Sequence, residues 1–81
     1  RQMCIRDSPY SIILDDYGLK LGNKDKIEWI EIEKVEAFHV GDDSIKLIIT
    51  LKNSQVIKYN YQEKDNTPYL YIKIYHEKYS K

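Results

Sequence analysis

Residues 12–38, IILDDYGLKLGNKDKIEWIEIEKVEAF, decide how the chain is read. The apolar run Ile12, Ile13, Leu14 meets an acidic turn, Asp15, Asp16, Tyr17 and Gly18, after which Leu19 and Leu21 share one face. An apolar run, a turn cluster and a second alternating run make a β-hairpin, its first strand starting at Tyr10 and Gly18 suited to a turn position of positive φ. A polar stretch, 22–26, leads to Ile27, Trp29, Ile30, Ile32 and Val35, spaced neither by two nor by 3.6. Such spacing predicts a kink near Glu31, with a strand resuming by Lys34 and running to Val40. Trp29 stands just before an Ile-x-x-Val step. There an indole fills volume over the end of a small sheet that few other side chains match, so it reads as a structural plug and not as a platform for a ligand.

Downstream, Gly41, Asp42, Asp43 and Ser44 form the next turn cluster. In IKLIITL, residues 45–51, Ile45, Leu47, Ile49 and Leu51 point one way and Lys46 and Thr50 the other. Asn53 and Ser54 close another hairpin, and Ile57, Tyr59 and Tyr61 then oppose Val56, Lys58 and Asn60. The total is about six short strands. The last stretch, DNTPYLYIKIYHEKYSK, has strand-like alternation, but Thr67 followed by Pro68 suits an N-cap and first turn, and Lys73, Lys78 and Lys81 suit the later turns of a helix. A helix over about 67–79 is expected, with Leu70, Ile74, Tyr71 and Tyr75 on adjoining ridges that cover the mouth of the sheet. The fold class is therefore mainly β with one C-terminal α-helix.

Upstream, residues 1–8, RQMCIRDS, read back into codons as the mosaic-end adapter of transposase-based sequencing libraries. They resemble a translated adapter scar and are set apart as a non-native segment. Residues 9–81 then form a single domain, read as truncated at its N-terminus. Cys4 and both arginines, Arg1 and Arg6, leave with the scar, which removes disulfides, cysteine-ligated zinc and thiol chemistry from the inventory. Eleven lysines against twelve acids leave a net charge of −1 over residues 9–81. Near-balance gives no general attraction to nucleic acid or to anionic membranes. A chain of this size buries only roughly 60% of its unfolded surface, so its core must be continuous. No apolar run approaches the roughly 18 residues of a membrane span.

The stretch from Ile13 to Val35 resembles the bacterial pleckstrin-homology-like (PH/GRAM-like) domains. Their first hairpin runs apolar, apolar, x, Asp, x, x, Gly, apolar, and a polar loop then precedes Ile-x-Trp-x-x-Ile-x-x-Val. The matching residues are Ile13, Asp15 or Asp16, Gly18 and Leu19, then Ile27, Trp29, Ile32 and Val35. The resemblance implies a seven-stranded, strongly bent sheet or partly open barrel closed by a C-terminal helix. It also implies a cytoplasmic module, often beside a pair of membrane helices, which would lie upstream of the present sequence. Relatives of this fold that bind phosphoinositides carry Lys and Arg on the first hairpin loop. Here that loop holds Asp15 and Asp16 and no base, and residues 9–43 hold four lysines against nine acids while 44–81 hold seven against three.

Reactive constellations are sparse. His39 and His76 stand alone without metal-ligand spacing, the aspartate pairs 15/16 and 42/43 lack the alternate-ligand loop of a calcium site, and Ser11, Ser44, Ser54 and Ser80 lack a nucleophile-elbow context. No enzyme activity, cofactor or metal is expected. The expected function is protein interaction or scaffolding, with an unknown protein or a second copy as partner and no nucleic acid. Ile48 and Val56, apolar residues on the otherwise polar strand face, are the expected contact surface, through the strand edge or the groove beside the helix. The competing expectation is peripheral binding to anionic lipid through the lysine-rich second half, with Lys46, Lys52 and Lys58 as contacts and Lys64, Lys73 and Lys78 beside them.

Overall fold

A hairpin of IIL and GLKL seeds the first of two antiparallel sheets. The computed structural model describes residues 3–6, 11–62 and 66–81. The first sheet comprises β1 (Met3–Arg6), β2 (Ile12–Leu14), β3 (Gly18–Leu21) and β4 (Ile27–Glu28), in that spatial order. A 3-10 turn over Trp29–Glu31 carries the chain into the second sheet, β5 (Ile32–His39), β6 (Ile45–Leu51) and β7 (Val56–Tyr61). Helix α1 (Thr67–Tyr79) follows. The fold is thus mainly β with one C-terminal helix, and its two sheets do not close into a barrel. The expected strand start at Tyr10 and the lysine at position 64 lie outside the described residues.

Strand β1 lies within the segment set apart as an adapter scar and pairs with β2, Met3 opposite Leu14 and Cys4 opposite Ile13. The unpaired edge of a strand accepts any extended segment, so this pairing is a property of β2 as much as of residues 3–6. The other six strands supply the central packing. Ile12 and Leu14 face Leu21 and Leu19 across the β2–β3 ladder, and Ile45, Leu47 and Ile49 fill the centre of the second sheet. All seven side chains are fully buried and belong to one apolar cluster with Trp29, Ile32, Tyr61 and Ile72.

The irregular spacing after Ile27 has two causes. The 3-10 turn, closed by reciprocal Glu28 and Glu31 capping contacts, swings Trp29 inward and leaves Ile30 outside. The ladder then slips between Ile32 and Lys34, where β5 carries one residue more than β6. A bulge of this kind lets Ile32 and Val35, an odd number of residues apart, both face the core.

Gly18 differs from its expected role. It opens β3 in an ordinary extended conformation, and the positive φ values belong to Gly22, Gly41 and Ser54. What Gly18 provides is space: a Cβ there would sit 2.2 Å from the Ile27 carbonyl oxygen on the adjoining β4. Ser54 occupies the left-handed position of the β6–β7 loop at φ 77°, with its N–H donating to the Leu51 carbonyl at 2.9 Å. An L side chain at a left-handed position costs about 1–2 kcal/mol. Gly18→Ala is therefore expected to destabilise by about 2–3 kcal/mol, whereas Ser54→Gly is expected to stabilise by about 0.5–1 kcal/mol. Both shifts would be read as urea midpoints at unchanged m-value.

Candidate functional site

The acidic hairpin loop is occupied by its own contacts. Asp15 Oδ1 accepts from the N–H groups of Tyr17 and Gly18 at 2.8 and 2.9 Å, which folds the loop as an Asx turn, and Lys26 Nζ donates to Oδ2. Lys20 Nζ is turned to the Gly22 carbonyl at 2.7 Å. Both bases beside the loop are thus held by protein oxygens, and the loop presents no converging cations to a phosphate. Trp29 ties the same loop to the core: its backbone N–H donates to the Tyr17 carbonyl at 2.9 Å and its indole Nε1 to the Asp15 carbonyl at 2.7 Å.

Helix α1 begins with Asn66 at the cap position and Thr67 and Pro68 in the first turn, one residue earlier than the cap expected at Thr67. Pro68 costs no hydrogen bond there, because the first N–H groups of a helix have no internal partner. The helix docks by Pro68 and Ile72, with Tyr69, Tyr75 and Tyr79 packed against the core. Trp29 meets the Tyr75 ring at 5.9 Å between centroids and the His76 ring at 6.5 Å, and His76 Nε2 lies 2.8 Å from the Ile32 carbonyl oxygen.

The opposite helix face is the main departure from the sequence reading. Leu70, Tyr71 and Ile74, which with Tyr75 are the residues expected to cover the mouth of the sheet, instead stand in solvent, at 54%, 39% and 56% exposure. Only Tyr75 of that set turns inward. Apolar residues stand on both sides of the helix in its first two turns, so its period alone does not select the buried face. With Thr67 these three side chains line a shallow open depression of about 320 Å³. Its openness suits one or two side chains of a partner, not an enclosed small molecule.

A second depression of about 320 Å³ lies between the 3-10 turn and the start of the β6–β7 loop, lined by Ile30, Glu31, Leu51, Lys52 and Asn53. Ile30 is 54% exposed. The expected contact residues lie elsewhere. Ile48 is half-buried on the outer face of the second sheet between Glu36 and Lys58, and Val56 is exposed opposite Thr50. They are diagonal neighbours, and the charges around Ile48 break the patch they make. Lys46 and Lys58 share that outer face, while Lys52 sits in the β6–β7 loop beside Glu31, so the three do not converge. Gly18, Ile27, Trp29, Ile32 and Val35 are core positions. Among the described residues no group of three or more His, Cys, Asp or Glu is placed to hold a metal ion. Among them, too, no helix is long and apolar enough to cross a membrane.

Burial by itself raises the Asp15 carboxyl, but the hydrogen bonds from Lys26 and from the Tyr17 and Gly18 N–H groups outweigh it and hold the group below its ordinary value. A carboxyl depressed in the folded state stabilises the protein above its unfolded value of about 4, and that stability is lost as pH falls through the folded value. Asp15→Asn is expected to lower the urea midpoint at pH 7, and the gap from the parent chain is expected to shrink as the pH falls below about 4. Trp29 fluorescence reports both, since the indole hangs on the same loop.

Compared with models of protein families, with curated proteins and with solved structures, the chain matches none.

Proposed function

We propose that the chain is a non-catalytic PH-like domain that works as a protein-interaction or scaffolding module at the cytoplasmic face of a membrane. The order of elements supports the fold part of this reading: a four-stranded meander, a three-stranded meander and a terminal helix laid over the Trp29 end of the core. β1 lies in the segment set apart as non-native, so the described residues of 9–81 supply six of the seven strands that the resemblance implies. The observation that carries the functional part is the outer face of α1. Isolated surface apolars are ordinary, but Leu70, Tyr71 and Ile74 are contiguous on one helix and line a common depression, the arrangement that marks contact surfaces.

Peripheral lipid binding is the second reading, favoured by Lys73 and Lys78 on the same helix and Lys81 just beyond its end. A lysine near an anionic leaflet contributes about 1 kcal/mol. Glu77 interrupts this series, and Lys46, Lys52 and Lys58 lie on other elements, so the basic groups do not build one flat face. Flotation with vesicles of phosphatidylserine and phosphatidylcholine, using residues 9–81 alongside the whole chain, separates the readings. The expected result is that the protein stays at the bottom of the gradient at low and at physiological salt. Salt-sensitive flotation with anionic vesicles, lost in Ile74→Asp, overturns the protein-interaction reading.

A further inference from the structure

A strand that ends a sheet presents unpaired N–H and C=O groups, and proteins guard such edges with charge, brevity or a bulge. Three outer edges of this molecule are guarded in these ways: β4 is two residues long, β5 carries Glu33, Lys34 and Glu36 with a bulge, and β7 carries Lys58. The outer edge of β2 has no such guard. Ile12, Ile13 and Leu14 hold no charge, and in the whole chain they are covered by β1, which belongs to the segment set apart as non-native. We propose that this edge is a strand-acceptor site, taken in the native protein by an extended segment of a partner chain that adds antiparallel to β2 and sets an apolar side chain opposite Leu14.

Residues 3–6 are a stand-in that shows what the site accepts. Met3 lies opposite Leu14, and residues directly opposite in a ladder share a face, so its half-buried side chain packs against the apolar cluster. Cys4, opposite Ile13, is exposed on the other face. The register then slips between Cys4 and Arg6, so the match to β2 is good only over the first pairs. Among the described residues every buried side chain lies between Ile12 and Ile72, so the core closes without β1 and the edge is open when that segment is removed. A second copy is the poorer occupant. Its own β2 offers three residues, and Ile12 and Leu14 already fill its own core, which leaves no side chain to take the place of Met3. In strand addition the backbone pairing supplies affinity and the alternate side chains supply selectivity. This site lies apart from the α1 face and does not depend on it; it rests on residues 1–8 being foreign to the domain.

The test supplies residues 1–8 in trans, as the labelled synthetic peptide RQMCIRDS, to residues 9–81 under reducing conditions, with binding read by fluorescence anisotropy. Saturable binding is expected, and with it amide exchange at Ile12–Leu14 slowed about tenfold or more. The same peptide with Met3→Asp is expected to bind about tenfold or more weakly. The whole chain is expected to bind the parent peptide weakly too, because its own β1 competes at high effective concentration. Ile74→Asp in residues 9–81 is expected to leave peptide binding unchanged, which keeps this site distinct from the α1 face. Buried Trp29 fluorescence reports that residues 9–81 are folded. Unfolding of residues 9–81 overturns the proposal, since β1 is then a structural strand and not a stand-in. Absence of binding, binding indifferent to Met3→Asp, equal binding to the whole chain, or loss of binding in Ile74→Asp overturns it as well.

Discussion

One indole holds three parts of the molecule together. Trp29 donates through Nε1 to the Asp15 carbonyl of the first hairpin, sits at the turn where the chain passes between sheets, and meets the rings of Tyr75 and His76 on the helix. It is fully buried. An aromatic of this size contributes large apolar area, and its N–H finds an acceptor that would otherwise be left unpaired inside. Two small sheets with a short helix have little core to spare, so the angle between them and the seat of the helix both depend on this residue.

Where one face of a strand is buried and the other wet, the sequence states the fold openly. Ile45, Leu47 and Ile49 alternate with Lys46, Ile48 and Thr50, and the structure buries the first set. The break in period near Glu31 pointed to a kink, although period alone does not distinguish a 3-10 turn from the ladder slip beside it, and both are present. Gly18 shows a different limit. Its need for a missing Cβ comes from a carbonyl nine residues away, and local turn chemistry carries no sign of that approach.

The contact surface was harder to read for a related reason. In α1 both candidate stripes are apolar, one through Pro68, Ile72 and Tyr79 and the other through Leu70, Tyr71 and Ile74. Only the position of Trp29 decides between them, because Tyr75 and His76 must turn toward it. Once they do, the second stripe faces outward as a necessity of helical geometry. Ile30 is exposed by the same logic, since the turn that buries its neighbour presents the next residue to solvent.

Helix α1 has no ladder to hold it and no side-chain bond at its N-cap; its attachment is the layer of Pro68, Ile72, the tyrosines and the indole beneath, with the His76–Ile32 hydrogen bond beside it. Sheets unzip strand by strand, whereas a docked helix can peel away as a unit. One sub-global opening such an attachment allows is the lifting of this thirteen-residue element, which leaves both ladders intact and bares an aromatic floor. Amide protons of the helix would exchange in that opening while those of the central strand stayed shielded.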